Sequence, residues 1–548
     1  MSTNIKDLEN RLWEAADHMR ANSPLRLNEF AEPVLGLIFL KFAGVKHAKA
    51  AEEIAEERKK KTTLRRQGFG GQEKLGGASV SRERPISSAD YHARGTLFVP
   101  EKARFSYLIE LPEGTDMGRA VNDGMKTIEE ENKDLAGILP RTFQKLDNRS
   151  IIALLKNFNQ IPDDIEGDAF GRIYEYFLGK FAISEGRRGG EFFTPTSIVK
   201  LIVEIIEPYH GKIYDPACGS GGMFVQSHEF VKRHLENGKK TRASREISIY
   251  GQESVEQTVR IAKMNLAIHG LSGDIRQGNT YYEDLHKSLG KFDFVMANPE
   301  FNVAGIDKER MKDDPRFSYG LPRTDNGNYI WIQIFLGALH ENGRAGFVMA
   351  NSASDAGHSE KEIRQKMIED GVVDVIVAVG PNMFYNVALP VTLWFLDRGK
   401  KHTPSETKSL SGKTDPIRNR ISNGASRKDK ILFIDARNIY RQIDRAHRDW
   451  TDEQIEQIAS IVRSYRGENG KKYKDIKGLC RVATIEEVKK AGYSLNPGRY
   501  VGVTDNGNGD DGDFGDKIEK FHGELKGLTD EAHKLEKNIF ENLKKLDI

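Results

Sequence analysis

The sequence predicts an α/β protein: a doubly wound, Rossmann-like sheet with a helical N-terminal domain and a C-terminal helix of the coiled-coil type. Three observations lead to this fold class. Short apolar runs alternate with amphipathic segments between residues 212 and 435, the first run leads into a glycine-rich loop, and apolar residues recur at helical spacing at both ends of the chain. Such alternation is typical of parallel strands joined by helices.

Residues 1–165 are predicted to form the helical domain. Apolar residues recur at helical spacing from residue 8 to 19, over residues 25–43, where Pro33 interrupts, and over 48–61. Residues 65–85 are rich in Gly, Ser and basic side chains, which predicts a mobile loop. Its basic groups are as consistent with contacts to phosphate as with plain solvation.

Residues 166–503 are predicted to form the α/β domain. Strands are predicted near residues 212–214, 247–251, 273–284, 292–297, 346–351, 372–379, 382–398 and 431–435. Helices are predicted near residues 168–181, 195–206, 224–235, 255–269, 329–340 and 359–370. Residues 399–428 are polar and basic, and predict an excursion on the surface.

The C-terminal residues are predicted to form a linker and a helix for a partner. Residues 504–515 are acidic and glycine-rich, which indicates a flexible linker, and residues 516–548 follow as the helix. The alternative is that the helix packs on its own domain. We favour a partner, because an apolar seam that follows a flexible linker has no domain core in which to be buried. The apolar positions, spaced by three and four as in a heptad seam, are Ile518, Phe521, Leu525, Leu528, Ala532, Leu535 and Ile539.

Composition limits the classes of function. With 548 residues, 38% hydrophobic and 30% charged, the chain fits a multidomain protein with a wet surface, and its net charge of +2 gives no global attraction to nucleic acid. The 2 cysteines imply no disulfide framework and fit a reducing cytoplasm. The longest apolar run, residues 34–40, is too short to span a bilayer, and the charged start is not typical of a signal peptide. We therefore expect a cytoplasmic protein without a membrane segment.

Candidate ligand-binding residues follow two predicted strands. Asp215 opens the loop after the strand at 212–214, and Gly219 and Gly221 in this loop allow a ligand to approach the backbone closely. A phosphate-binding P-loop is excluded because no Gly-Lys-Ser/Thr follows, and a dinucleotide fingerprint is matched only weakly. Glu253 lies just past the end of the strand at 247–251, where an acidic residue binds ribose hydroxyls.

Two further stretches add polar groups that we expect at the same edge of the sheet. Asn298 and Pro299 end the apolar strand from residue 292, although an Asn-Pro turn also occurs without function. Thr194 is predicted to cap a helix with Pro195 at its first position, and a helix start beside a glycine loop can hold a carboxylate. An ordinary capped helix is the alternative.

In this order, GGEFFTP (189–195), DPACGSGGM (215–223), Glu253, GNT (278–280) and NPEF (298–301) resemble the motifs of amino-methylating DNA methyltransferases. More narrowly, the chain resembles the modification subunit of type I restriction-modification systems over nearly its whole length. The resemblance implies an enzyme that uses S-adenosylmethionine to methylate adenine N6 in DNA. It also implies a separate specificity subunit that reads the target, with two modification subunits per complex, and a restriction subunit in the full assembly.

The resemblance and the residue chemistry together give the predicted site. The Asn298 oxygen and the Pro299 carbonyl would accept the N6 hydrogens, Phe301 would stack on the flipped base, and no metal is expected. The predicted catalytic residues are Asn298, Pro299 and Phe301. The predicted cofactor-binding residues are Glu191, Phe192, Thr194, Pro195, Asp215, Gly219, Ser220, Gly221, Glu253, Asn279 and Asn298.

One residue departs from the family pattern. Glu300 stands where the family usually has a second proline, which loosens the loop and brings a carboxylate near the path of the DNA phosphates. A weakened enzyme or a non-catalytic scaffold of a DNA complex therefore stays open. A standalone methyltransferase acting on protein or RNA and a nicotinamide dehydrogenase are further alternatives, which the N-terminal domain, the terminal seam and the loop sequence disfavour.

Overall fold

The chain forms two compact units, residues Met1–Val501 and Gly502–Ile548. The computed structural model describes residues 5–21, 27–68, 86–163, 169–184, 193–236, 247–384, 389–401, 427–445, 447–503, 522–523 and 525–537. Within these residues no helix is long and apolar enough to cross a membrane.

The N-terminal part of the first unit is a layer of helices. Its core is a continuous apolar cluster, in which the Trp13 ring meets the edge of Phe177 at 5.6 Å between centroids. The predicted boundary at residue 165 stays a prediction, since the last helix of the layer begins after it and packs into this cluster. The helices are α1 (Ile5–Ala21), α2 (Leu27–Gly68), α3 (Ser88–His92), α4 (Phe105–Ile109), α5 (Met117–Glu131), α6 (Asn148–Phe158) and α7 (Ala169–Ser184).

Helix α2 differs from its prediction. It is continuous over 42 residues, includes Pro33 and extends to Gly68, so the predicted loop at 65–85 is wrong for its first four residues. Pro33 is the seventh residue of the helix, and its missing N–H removes a single backbone hydrogen bond near the start. The neighbouring turns are fully buried in the apolar cluster, which keeps the helix intact. Residues 69–85 lie outside the described residues.

The central sheet has nine strands in the order β11-β8-β6-β7-β5-β4-β1-β2-β3, and a separate ladder pairs β9 with β10. Most neighbouring strands are parallel, as the fold class predicts, but β7 runs antiparallel between β5 and β6, and β11 is an antiparallel edge. The strands are β1 (Gly211–Asp215), β2 (Ile247–Glu253), β3 (Gly273–Gln277), β4 (Phe292–Ala297), β5 (Leu339–Ala350), β6 (Val373–Val379), β7 (Val391–Asp397), β8 (Lys430–Asp435), β9 (Arg441–Gln442), β10 (Arg448–Asp449) and β11 (Cys480–Thr484).

The antiparallel course of β7 has a simple cause. A parallel neighbour needs a crossover of a dozen or more residues, usually a helix, whereas β6 ends at Val379 and β7 begins at Val391. On the other side of the sheet the chain runs from β1 to β2 to β3 and then returns to β4 beside β1. The strand order therefore reverses between β1 and β4, which opens a crevice at their carboxyl ends.

Helices cover both faces of the sheet. Those of one face share an apolar cluster with α8, and those of the other with α11. Helix α10 also joins the N-terminal cluster through Met264 and Ile268, and its Arg260 pairs with Glu32 of α2 at 3.1 Å. The helices are α8 (Thr196–Ile206), α9 (Gly222–Glu236), α10 (Glu256–Ile268), α11 (Asn328–Ala338), α12 (His358–Glu369), α13 (Asp452–Arg466) and α14 (Ile485–Lys490).

Two parts of the α/β region depart from the sequence analysis. Two residues near the ends of the predicted surface excursion 399–428 pack inward: Lys400 is 3% exposed, and the Arg427 side chain is 11% exposed and pairs with Asp374 at 2.5 Å. A basic composition predicts exposure, but Lys400 donates to the Val373 and Lys430 carbonyls, and Arg427 lies against the buried Asp374 carboxylate. Helix α13 was not predicted, although it carries a capping box at Thr451. The predicted linker, residues 504–515, lies outside the described residues.

Candidate functional site at the carboxyl ends of β1 and β4

The glycine-rich loop after β1 folds tightly on itself. Asp215 is 2% exposed, and its carboxylate accepts a hydrogen bond from the Ala217 N–H at 3.0 Å. Gly219 and Gly221 have φ of +50° and +80°, which only glycine adopts without strain. Around Gly221 a Cβ would meet its nearest atoms at 3.7 Å, so conformation, not space, requires glycine there.

Glu253, the last residue of β2, ties the strand to this loop. One carboxylate oxygen accepts from the Gly219 N–H at 3.1 Å, and the other accepts from the Val255 N–H at 3.0 Å. The loop is held from the other side by α10, where the Asn265 amide donates to the Ser220 carbonyl at 2.9 Å. Asp215, Gly219, Ser220, Gly221 and Glu253, all predicted from the sequence, thus lie together.

The loop after β3 lies against the same turn. The exposed Asn279 accepts from the Tyr281 N–H at 3.0 Å, and the Thr280 hydroxyl donates to the Pro216 carbonyl at 2.6 Å. Sequence reasoning missed the support for this loop: Arg316 is 2% exposed and donates to the Thr280 carbonyl at 2.8 Å. No local pattern marks Arg316, because its partner lies 36 residues away.

Asn298 lies directly beyond β4, with Pro299 buried after it and Phe301 half-buried against the core. The Asn298 amide nitrogen donates to the Thr194 hydroxyl at 3.1 Å. Its amide oxygen Oδ1 is buried, and no donor among the described residues reaches it. A buried acceptor without a partner is costly unless a ligand satisfies it.

The start of α8 corrects the predicted helix cap. The helix begins at Thr196 with Pro195 as the N-cap residue, and no side chain caps it, so Thr194 is neither the cap nor followed by a helical Pro195. The first backbone bonds, from Ile198 and Val199, both end on the Pro195 carbonyl. The Thr194 hydroxyl contacts Asn298 instead. Glu191 and Phe192, also predicted to bind the cofactor, lie outside the described residues.

Carboxylates give the crevice a negative character. Burial, together with the charge of Glu253, raises the pKa of the Asp215 carboxyl well above its usual range. Glu300 is an exposed residue, but desolvation of its carboxyl and the charge of Glu253 both raise its pKa. Burial and the same acidic neighbours raise the pKa of the Cys218 thiol. A cationic ligand bound beside these groups would favour their charged forms and lower their pKa values again.

The crevice therefore combines features that suit S-adenosylmethionine, the cofactor expected from the sequence. The left-handed glycines carry no Cβ on the loop backbone, acidic groups that suit a sulfonium and an ammonium lie close by, and the Asn298 oxygen is an acceptor without a donor among the described residues. Among the described residues, no group of His, Cys, Asp and Glu is arranged to hold a metal ion.

The family models and the relatives that match this chain agree on one protein family. A model described as N-6 DNA Methylase matches residues 165–508, and one described as HsdM N-terminal domain matches residues 8–158. The type I restriction enzyme MjaIX methylase subunit of Methanocaldococcus jannaschii is 38% identical over 98% of this chain and 91% of its own length. The HindI methylase subunit of Haemophilus influenzae is 36% identical, with coverage of 79% and 94%.

A solved structure has the same fold. The type I restriction-modification methyltransferase subunit from Streptococcus thermophilus superposes with a TM-score of 0.69 over 91% of this chain and 99% of its own. The two sequences are 22% identical, so this similarity concerns the fold.

Proposed function

Because the chain belongs to the N-6 DNA methylase family, as a methylase subunit of the type I restriction enzymes, we propose that it transfers a methyl group from S-adenosylmethionine to adenine N6 in DNA. The observation that carries the proposal is the Asn298 amide, whose buried oxygen lacks a donor among the described residues at the crevice between β1 and β4. A hydrogen-bond donor on a ligand is the partner that such a position suits, and the amino group of adenine is such a donor.

The cofactor is proposed to lie along the glycine loop. Backbone at Gly219, Ser220 and Gly221 would approach it, Asp215 and Glu253 would contribute negative charge and hydroxyl contacts, and Asn279 would lie near its adenine. Its amino-acid end is proposed to meet the Thr194-Pro195 backbone and the Glu191-Phe192 segment. When bound, the cofactor supplies an activated methyl group on a sulfonium sulfur.

The acceptor needs help because the lone pair on adenine N6 is delocalised into the ring. If Asn298 Oδ1 and the Pro299 carbonyl each accept an N6 hydrogen, the nitrogen moves toward tetrahedral geometry and its lone pair turns toward the methyl donor. Phe301 is half-buried at the same loop and would stack on the flipped base, offsetting part of its unstacking cost of a few kcal/mol. The remaining catalysis is alignment of donor and acceptor.

Glu300 favours a second candidate, a weakened or non-catalytic scaffold of a DNA complex. In that case the chain binds cofactor and partner but transfers no methyl group. Counting tritiated methyl groups transferred from S-adenosylmethionine to DNA, with and without the co-encoded specificity subunit, separates the two. Transfer that requires both chains supports the enzyme, and a complex that assembles and binds cofactor without transfer supports the scaffold.

The C-terminal helix is proposed to join the specificity subunit, with two copies of this chain per complex and a restriction subunit added in the full assembly. In its described part, residues 525–537, Leu525, Leu528 and Leu535 are 63%, 64% and 56% exposed at spacings that form one stripe. Burying large apolar side chains contributes roughly 1.5–3 kcal/mol each before association costs.

Deleting residues 504–548 should leave cofactor binding intact and abolish both co-purification with the specificity subunit and site-specific methylation. A sharper pair of variants keeps the helix: Leu528→Gln with Leu535→Gln removes the stripe, whereas Thr529→Gln with Glu536→Gln changes neighbouring positions. Pull-down against the partner should fail for the first pair only. If both double variants bind the specificity subunit equally well, this stripe is not the interface, and the interface is expected in the first unit.

A further inference from the structure

We infer that Thr194 is a positioning residue for methyl transfer, holding the Asn298 amide so that its oxygen faces the target amine. This inference rests on the proposed function and gives Thr194 a part in it beyond the predicted cofactor contact. The hydrogen bond joins residues 104 apart in the chain, one before α8 and the other beyond β4.

The orientation of the amide decides whether Asn298 can act. With the nitrogen on the Thr194 hydroxyl at 3.1 Å, the oxygen Oδ1 occupies the buried position that no donor in the described part of the chain reaches. A rotated amide would present its two hydrogens there, facing the hydrogens of an amino acceptor. The observed orientation is therefore the one that offers an acceptor to the substrate.

Thr194 is also free to serve this purpose. Since Pro195 is the N-cap residue and α8 has no side-chain cap, the helix does not use the Thr194 hydroxyl. The helix itself is fixed: Ile202 packs so closely on β5 that a Cβ at Gly346 would lie 3.0 Å from the Ile202 Cγ2 atom. A hydroxyl can accept or donate, so this bond holds the Asn298 amide in place, and in the orientation that it has here Oδ1 is left without a protein donor among the described residues.

The test uses the complex with the specificity subunit and compares Thr194→Val, which keeps the shape but removes the hydroxyl, with Thr194→Ser, which keeps the hydroxyl. In single-turnover transfer at saturating S-adenosylmethionine, Thr194→Val should be about 10- to 100-fold slower. Cofactor affinity, measured by calorimetry, should change less than about 2-fold, and Thr194→Ser should stay within about 3-fold of the wild-type rate.

A double variant distinguishes a positioning role of Thr194 from a general loss of activity. In an Asn298→Ala background, which keeps residual transfer, Thr194→Val should cause little further loss, because the amide it orients is gone. A wild-type rate in Thr194→Val, a pure loss of cofactor affinity, or equal slowing by Thr194→Ser overturns the inference. Absence of transfer by the wild-type complex instead overturns the proposed function.

Discussion

The two ends of the strands in the central sheet carry polar groups in different surroundings, charge pairs at one end and an amide beside the crevice at the other. At the amino-terminal ends of β5 and β6, Arg344 pairs with Asp397 at 3.3 Å and with Glu468 at 2.6 Å, and Asp374 pairs with Arg427 and Arg466 at 2.5 and 2.9 Å. At the carboxyl ends of β1 and β4, the Asn298 oxygen has no donor within the residues that the structure describes.

The difference separates structural from functional polarity. Buried charges that satisfy one another hold elements together but offer nothing to a ligand. A buried acceptor left open reduces stability, and one that lies beside a crevice can be satisfied by a ligand. Perturbed carboxyls occur at both edges, so the shifted pKa values alone would not have distinguished the site from the structural network.

The largest effect is expected at the amino-terminal edge. Asp374→Asn removes the carboxylate that Arg427 and Arg466 share, leaving Arg427 with Asp397 only, and should lower the free energy of unfolding by about 3–5 kcal/mol. The matched change at the surface, Asp123→Asn, breaks only a pair at 4.0 Å with 67% exposure and should cost less than about 1 kcal/mol. Denaturant melts measure both, and equal effects would contradict a structural role for the network.

The same network gives a pH dependence with a defined sign. Burial alone would raise the pKa of Asp374, but the charges of Arg427 and Arg466 hold it below its usual value. Because the folded-state pKa is lower, the stabilisation is present above the unfolded pKa of about 3.9 and is lost as pH falls through the folded value. Melts of Asp374→Asn should lack this acid-dependent component.

The next effect is expected at the carboxyl edge. Asn298→Ala removes the proposed acceptor of the N6 hydrogens and should slow transfer by about 10²–10³-fold, the usual cost of one hydrogen-bonding group that stabilises a transition state. Cofactor affinity and melting temperature should change little, because within the described residues the substitution removes one hydrogen bond, to the Thr194 hydroxyl, and the oxygen has no partner to lose. The control is Asn157→Ala, which removes an amide on α6. If the transfer rate of Asn298→Ala stays within a few-fold of the wild-type rate, Asn298 is not the activating group.

The smallest effect is expected from a change of backbone conformation alone, at Gly221 in the site. Gly221→Ala should cost about 1–2 kcal/mol, because an L-residue is strained at φ of +80° while no atom clashes with its Cβ. Gly137→Ala, at φ of +72° with open space around it, should lose similar stability. Titration calorimetry should find a weaker affinity for S-adenosylmethionine, by about 5- to 10-fold, in Gly221→Ala alone. If the two variants bind S-adenosylmethionine with equal affinity, the glycine loop is not part of the cofactor site.

Much of the site was predictable from the sequence because its parts are local. A strand that ends in Asp215, another that ends in Glu253 and a third followed by Asn298 must bring these residues to one edge, since parallel strands share their carboxyl ends. The left-handed turns at Gly219 and Gly221 follow from glycine in a strand-to-helix loop.

What the sequence alone determined is therefore the fold class, the family resemblance and the edge of the sheet at which the polar residues meet. Tertiary structure decided the rest: the bond from Thr194 to Asn298, the antiparallel β7, and the inward packing of Lys400 and Arg427 in a segment that resembled a surface loop. Hydrophobic period and turn chemistry act over a few residues and are visible in the sequence. Pairings across tens to hundreds of residues depend on register and packing, which no local pattern encodes.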